Sequence, residues 1–340
     1  MGGCASAQTV SQPVRVRRYP KPPSVYEIEK KYSFARTEAG SFDGTSEQLF
    51  RSRYKLSSTV LGRGSDAVVY EGVDSLTKQK VALKVVDLDS KNITSSRRQE
   101  LIQRFRDETN ILSSLDHPHV IQLFDSKEEL DKLTLVFEYA AGGDLLDHIA
   151  KVVRLNERVA RRVMMSLVDA LKYVHGMHVV HCDLKPDNIL IRSELDMGDV
   201  IITDFGFASF CVGDTLTRQV GSPNYIAPEV LLGLPYGPAV DVWALGVILY
   251  IMLLGCFPFY HSDSDVLFNN IVFGQFSFRN DDISDEAKDL ISRILVPDVA
   301  QRYTLDQIAQ HPWMRLPASN RKASDRSDSY KSGSEHQFDF

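Results

Sequence analysis

His181-Cys182-Asp183-Leu184-Lys185-Pro186-Asp187-Asn188, joined further on by Asp204-Phe205-Gly206, is the stretch from which the rest of the chain can be read. Asp183 and Asn188 stand five residues apart with Lys185 between them, and two short apolar runs, Ile189 to Ile191 and Val200 to Ile202, lead to Asp204. Runs of that kind predict a hairpin of short strands that holds the two loops side by side. A carboxylate, an ammonium, a carboxamide and a second carboxylate then converge on one point. Magnesium takes oxygen ligands, from one or two carboxylates plus substrate phosphates. A further carboxylate nearby can orient a hydroxyl nucleophile. The stretch reads as a site for metal-assisted phosphoryl transfer.

This ordered set resembles the signature of the eukaryotic protein kinases, and the resemblance covers about residues 54–314. It implies an α+β, two-lobed fold: a small β-rich lobe over about 54–138 and a larger helical lobe over about 142–314, with ATP and Mg²⁺ between them. It further implies roles. Asp183 would orient the target hydroxyl and Lys185 would steady the γ-phosphate, while Asn188 and Asp204 would hold magnesium.

Ahead of that stretch, Leu61-Gly62-Arg63-Gly64-Ser65-Asp66-Ala67-Val68-Val69-Tyr70 matches the family's glycine-rich phosphate loop, with Ala67 where a third glycine is expected. Glycines let backbone approach phosphate oxygens closely, so alanine, the smallest replacement, predicts a stiffer loop and an open site. Val81-Ala82-Leu83-Lys84 corresponds to the third strand, with Lys84 aimed at the α- and β-phosphates. Its apolar neighbours predict burial, and a buried ammonium needs a partner. Glu108, on a helix predicted from about Ser96 to Leu115, is the expected one, with Glu100 the alternative. The resemblance adds Phe137 at the rear of the pocket, the Glu138 carbonyl and Ala140 amide at the adenine edge, and Leu190 in the nucleotide-binding set with Leu61, Gly62, Gly64, Val69 and Ala82. Asp144 opens a helix that it can cap, and it can also face the ribose or a substrate arginine.

In the larger lobe the family's catalytic-loop arginine is replaced by Cys182. That arginine binds an activation-segment phosphate in relatives, and a thiol cannot supply the bidentate bonds involved. Activity is therefore expected to depend little on phosphorylation of Ser209, Thr215 or Thr217, and Cys182 itself is expected to be a buried, inert thiol. Ser222, in Gly221-Ser222-Pro223 before Ala227-Pro228-Glu229, stands where a hydroxyl can bridge Asp183 and Lys185. Glu229 and Arg302 match the family's ion pair, and Asp241 should pin the catalytic loop. Gln301-Arg302-Tyr303-Thr304 and His311-Pro312-Trp313-Met314 resemble the calcium/calmodulin-dependent group. Asp144 with Asp187 can take an arginine three residues before the target, and bulky Phe207 goes with serine in the family.

Composition excludes several classes. The chain has 340 residues and a formal net charge of −6, yet residues 1–26 carry Arg15, Arg17, Arg18, Lys21 and no acid. A basic leader on an acidic body argues against nucleic-acid binding. Cys4, Cys182, Cys211 and Cys256 show no paired spacing, which predicts a reducing compartment. The longest apolar run, Val242 to Phe257, has 16 residues, short of the ~20 a spanning helix needs, and reads as a buried helix. No secretory leader is expected, because Val10 to Arg18 is interrupted by Gln, Pro and Arg. Met1-Gly2-Gly3-Cys4-Ala5-Ser6 fits N-myristoylation at Gly2. One acyl chain anchors only marginally, so palmitate on Cys4 and the basic run beside an anionic leaflet would supply further signals. The expected location is cytoplasmic, at the inner face of a membrane; the alternative is a leader that matches by accident.

Residues 1–53 and 315–340 are expected to lack a fixed fold. The tail carries Ser324 within Arg321-Lys322-Ala323-Ser324, which fits the expected target pattern. It has no basic amphipathic helix for calmodulin, and no Ca²⁺ loop is evident. Two rivals remain: a membrane-tethered pseudokinase scaffold, favoured by Ala67 and Cys182, and a small-molecule kinase, disfavoured by Ala227-Pro228-Glu229 and Arg302.

Overall fold

The computed structural model describes residues 50–89, 93–278 and 283–315. Five antiparallel strands make the small lobe: β1 (Tyr54–Arg63), β2 (Val68–Asp74), β3 (Lys80–Asp87), β4 (Leu123–Glu128) and β5 (Lys132–Glu138), in the spatial order β1-β2-β3-β5-β4. The continuous apolar character of β3 follows from burial on both faces. Val81 and Leu83 join Tyr54 and Val136 beneath Phe50, whereas Ala82 and Val86 pack against the main core. The packed structure reaches back to Phe50, before the Tyr54 at which the fold was expected to begin, with the Phe50 and Tyr54 rings 5.1 Å apart.

Helix α1 (Ser95–Ser114) lies between β3 and β4 in sequence and matches the predicted helix to within one residue at each end. The Thr94 hydroxyl starts it by accepting from the Arg97 amide at 3.2 Å, as an N-cap does. Leu115, in extended backbone, stops it ahead of Pro118. Leu101, Phe105, Glu108, Ile111 and Leu112 are its buried residues; their spacing of three, four and seven puts them on one face.

The larger lobe holds α2 (Leu145–Val152), α3 (Glu157–Gly176), β6 (Val179–Val180), β7 (Ile189–Ile191), β8 (Val200–Ile202), β9 (Ser209–Phe210), α4 (Pro228–Leu231), α5 (Ala239–Leu254), α6 (Ser264–Val272), α7 (Asp285–Ile294), α8 (Leu305–Gln310) and α9 (Pro312–Arg315). Every residue from Val240 to Leu254 is buried. An all-round apolar helix can only be the centre of a lobe, and α5 is that centre. Among the described residues no helix is long and apolar enough to cross a membrane. The chain thus adopts the expected two-lobed α+β arrangement, a five-stranded sheet with one helix set against a helical lobe.

Candidate active site

The catalytic stretch is fixed from below. β7 pairs antiparallel with β8, Ile189 opposite Ile202, and this is the hairpin that the two apolar runs predict. Asp241, in the first turn of α5, accepts hydrogen bonds from the backbone amides of His181 at 2.9 Å and Cys182 at 3.0 Å, and pairs with His175 Nε2 at 2.8 Å. Burial opposes its charge, but the His175 bond and the backbone donors outweigh burial and hold its carboxyl below the ordinary range. Cys182 takes the left-handed conformation at φ 66°, uncommon for a residue with a side chain. The backbone there is bent to present Asp183.

Around Asp183 the polar groups are matched. Its carboxylate accepts from the Ser222 hydroxyl at 2.9 Å and from Asn188 Nδ2 at 3.3 Å, and it lies 3.4 Å from Lys185 Nζ. Lys185 Nζ also donates to Ser222 Oγ at 3.0 Å. Ser222 therefore bridges the two, as its position in the sequence implies. Asn188 Nδ2 donates a second time, to the Asp183 carbonyl at 2.8 Å. With its nitrogen engaged as a donor, the amide keeps its oxygen as an acceptor.

Lys84 joins the lobes. Its ammonium lies 2.9 and 3.0 Å from the Glu108 oxygens and 2.7 Å from Asp204 Oδ1. Glu100, the alternative partner, pairs instead with Arg97 on its own helix at 2.7 Å. Burial works against the charge on Lys84, but Glu108 and Asp204 outweigh it and raise the ammonium above its ordinary range. Burial likewise opposes charge on Asp204, yet Lys84 carries that carboxyl down to about 2. Burial, with the Asp204 charge adding to it, pushes the Glu108 carboxyl up against the pull of Lys84; the other carboxylate on that ammonium is Asp204. It sits at φ 58°, a left-handed conformation that aspartate tolerates better than most residues. The neighbouring Phe205 ring is buried, edge-on to His181 at 4.8 Å.

The remaining predicted residues line the space above and below. Gly62 lies opposite Val69, Val69 opposite Lys84, and Ala82 opposite Phe137 across the sheet. Opposed residues share a face, as do Ala82 and Lys84 two apart, so all five look toward α1 and the cleft. Leu61 adjoins Gly62 and is exposed; Gly64 turns the loop, its amide donating to the Ala67 carbonyl at 2.9 Å. Below, Leu190 on β7 pairs with Asp144. Between lobes, Glu138 and Ala140 lie on the connecting segment, and Gly142 N donates to the Ile191 carbonyl at 2.9 Å. A Cβ on Gly142 would sit 2.7 Å from that oxygen, so the close approach requires glycine. Asp144 caps α2 through the Asp147 amide at 2.8 Å, and its carboxyl is raised by burial, with Asp187 adding to the rise. Gly2, Cys4, the basic run and Ser324 lie outside the described residues.

Five residues make contacts here that motif and spacing did not indicate. Arg218 Nη2 donates to the Ser209 hydroxyl at 2.5 Å and to the Phe207 carbonyl at 3.4 Å. Tyr236 holds its backbone by donating to the Arg218 carbonyl at 2.7 Å. Beneath, Gly221 takes φ 112° over the Cys182 carbonyl, where a Cβ would be 2.9 Å away. Cys182 is half-buried, not fully buried as expected, and burial pushes its thiol up. The other three are Asp66, Arg97 and Arg104, which pair across the glycine-rich loop. Such pairs leave no periodicity; the one available signal was a carboxylate at a loop tip and two arginines seven apart on a helix.

The family model for a protein kinase domain matches residues 56–314. The chain belongs to the protein kinase family. It is 37% identical over 265 residues to Myosin light chain kinase A of Dictyostelium discoideum, an alignment covering 76% of this chain and 88% of that protein. It is 37% identical over 265 residues to the liver/testis gamma catalytic chain of phosphorylase b kinase of Bos taurus, covering 75% of this chain and 64% of that one. It is 41% identical over 261 residues to the serine/threonine-protein kinase DCLK3 of Homo sapiens, covering 75% of this kinase but only 39% of that protein. The kinase thus spans most of the first relative and under two thirds of the other two. It is an ATP-dependent protein serine/threonine kinase, and protein kinases use Mg²⁺ with ATP. The donor set fits that ion: Asp204 supplies an ionised carboxylate and Asn188 a carboxamide oxygen. Magnesium held by so few protein ligands completes its shell with phosphates and water.

Proposed function

We propose that this kinase phosphorylates serines that follow an arginine by three residues, at an anionic membrane surface, without needing a phosphate on its own activation segment. The observation that carries the phosphoryl-transfer reading is the three-way contact of Lys84 with Glu108 and Asp204, together with an Asp183 carboxylate held by Ser222 and Asn188 beside Lys185. On this reading Asp183 orients the serine hydroxyl, Lys185 steadies the γ-phosphate, Lys84 meets the α- and β-phosphates, and Asn188 and Asp204 hold magnesium. The transition state is loose, so positioning and charge neutralisation supply most of the rate.

Support for the arginine preference comes from Asp144, at the N-cap of α2, and Asp187, in the Pro186–Asn188 turn against which α2 packs; a guanidinium there would be attracted by both carboxylates. Phe207 supports serine. Phosphate independence is favoured by Cys182 together with Arg218, an arginine of the activation segment that already bonds β9 through Ser209.

The test is transfer of labelled phosphate from ATP-Mg²⁺ to a serine peptide carrying that arginine, using phosphatase-treated enzyme. The wild type should be active, Asp204→Ala silent, and the Thr215→Ala/Thr217→Ala double variant close to wild type. Loss of activity in the double variant would remove phosphate independence. ATP binding without transfer in the wild type, with any peptide or upstream kinase, would favour the scaffold. For the membrane part, a myristate analogue fed to expressing cells should label the wild type and not Gly2→Ala; equal labelling, or none in the wild type, rules that part out.

A further inference from the structure

The strand pair β1–β2 ends in a tight turn whose tip, Asp66, is not directed at solvent. Its carboxylate lies 2.5 Å from Arg97 Nη2 and 3.2 Å from Arg104 Nη1, both on α1. Arg97 and Arg104 are seven residues apart and Glu108 four further along, so the three share one face of the helix. Arg104 also reaches down the cleft. Its Nε donates to the Gly206 carbonyl at 3.4 Å, and its guanidinium stands 4.4 Å from the centre of the Phe207 ring, within cation–π range. One side chain thus touches the glycine-rich loop and the segment that carries Asp204, from the helix that carries Glu108.

A carboxylate at the tip of a phosphate-binding loop has an electrostatic cost, because it repels the nucleotide that the loop must cover. Partial burial opposes its charge, yet the two arginines outweigh burial and hold the Asp66 carboxyl below its ordinary range. The charge is therefore present and needs neutralising when ATP is bound. We infer that Asp66, Arg97 and Arg104 form an ionic latch that draws the glycine-rich loop onto α1 and neutralises the loop's own carboxylate toward ATP, with Arg104 the positioning residue that carries this setting to the Asp-Phe-Gly segment. The inference rests on the reading of that loop as the ATP-phosphate site. Ala67 in place of a third glycine fits it: a loop with less backbone freedom is held by a defined side-chain contact.

The latch separates two effects of one substitution. Arg104→Gln should raise KM for ATP roughly tenfold, the scale of one lost charge-assisted hydrogen bond, and leave KM for the peptide unchanged. In an Asp66→Asn background the same substitution should raise KM for ATP by no more than about twofold, because the charge to be neutralised is gone. The fall in kcat from losing the Gly206 and Phe207 contacts should appear in both backgrounds. Arg104→Lys should recover part of the KM effect. Arg97→Gln, which touches neither Gly206 nor Phe207, should raise KM with little change in kcat. Thermal melts of each variant establish that it is folded. An equal rise in KM for ATP with and without Asp66, or no rise at all, overturns the latch. A wild type that shows neither ATP-dependent stabilisation nor transfer would instead overturn the kinase reading, and the latch with it.

Discussion

Asp183→Asn should lower kcat for phosphoryl transfer about 10³-fold, within the range for loss of a positioned general base, while KM for ATP changes by less than about twofold because the substitution leaves uniform binding intact. Asparagine is isosteric and keeps an oxygen that can accept from Ser222. It loses the negative charge that Lys185 and the Asn188 amide face at 3.4 and 3.3 Å. The hydroxyl nucleophile would then meet a neutral amide that cannot take its proton. Single-turnover kinetics with saturating ATP checks this, since the loss should fall on the chemical step. A variant that transfers phosphate within tenfold of wild type would mean that Asp183 has a structural role only.

The second large effect concerns stability. Arg302 is 1% exposed at its side chain and meets Glu229 in two parallel bonds of 2.8 and 2.9 Å. Its remaining donors go to the carbonyls of Ala239, Val296 and Pro297, and its guanidinium lies 5.1 Å from the centre of the Trp243 ring. Arg302→Leu strips a buried carboxylate of its partner and removes a donor from each of those three carbonyls. Breaking such a pair costs about 3–5 kcal/mol. At ~2–4 °C per kcal/mol for a domain of this size, Tm should fall by roughly 6–20 °C. Replacing both members, Glu229→Leu with Arg302→Met, should recover much of the loss, because no charge is then left buried without a partner. A double variant no more stable than Arg302→Leu would put the weight on the carbonyl and Trp243 contacts instead.

Much of the site is legible in the sequence, and the reason lies in how its parts are encoded. Asp183, Lys185 and Asn188 sit on one short loop, so their mutual placement is a matter of local spacing. The hairpin of β7 and β8 adds Asp204 through two apolar runs, and α5 announces itself by being apolar on every side. Glu108 is preferred to Glu100 as the partner of Lys84 through the family's Glu-x-x-Ile-Leu spacing, and the structure pairs Lys84 with Glu108 and Glu100 with Arg97. What escaped was of another kind. The contacts of Asp66 with Arg97 and Arg104, of Arg218 with Ser209, and of Phe50 with Tyr54 join residues whose sequences carry no period and no spacing rule. Periodicity says which face of an element turns inward; it does not say which charge on one exposed edge will meet which charge on another. The boundary at Tyr54 failed to include Phe50 for the same reason, since one aromatic residue after a polar stretch has no pattern to belong to.

Asp241 bears on how the enzyme can be controlled. Because that single carboxylate hangs the His181 and Cys182 amides from α5, buried from Val240 to Leu254, releasing the loop beneath Asp183 means disturbing α5, and with it the larger lobe. Regions that switch are drawn from the low-stability end of a structure. The loop that carries Asp183 is thereby tied to the opposite, high-stability end, and control that acts on it has to act through α5.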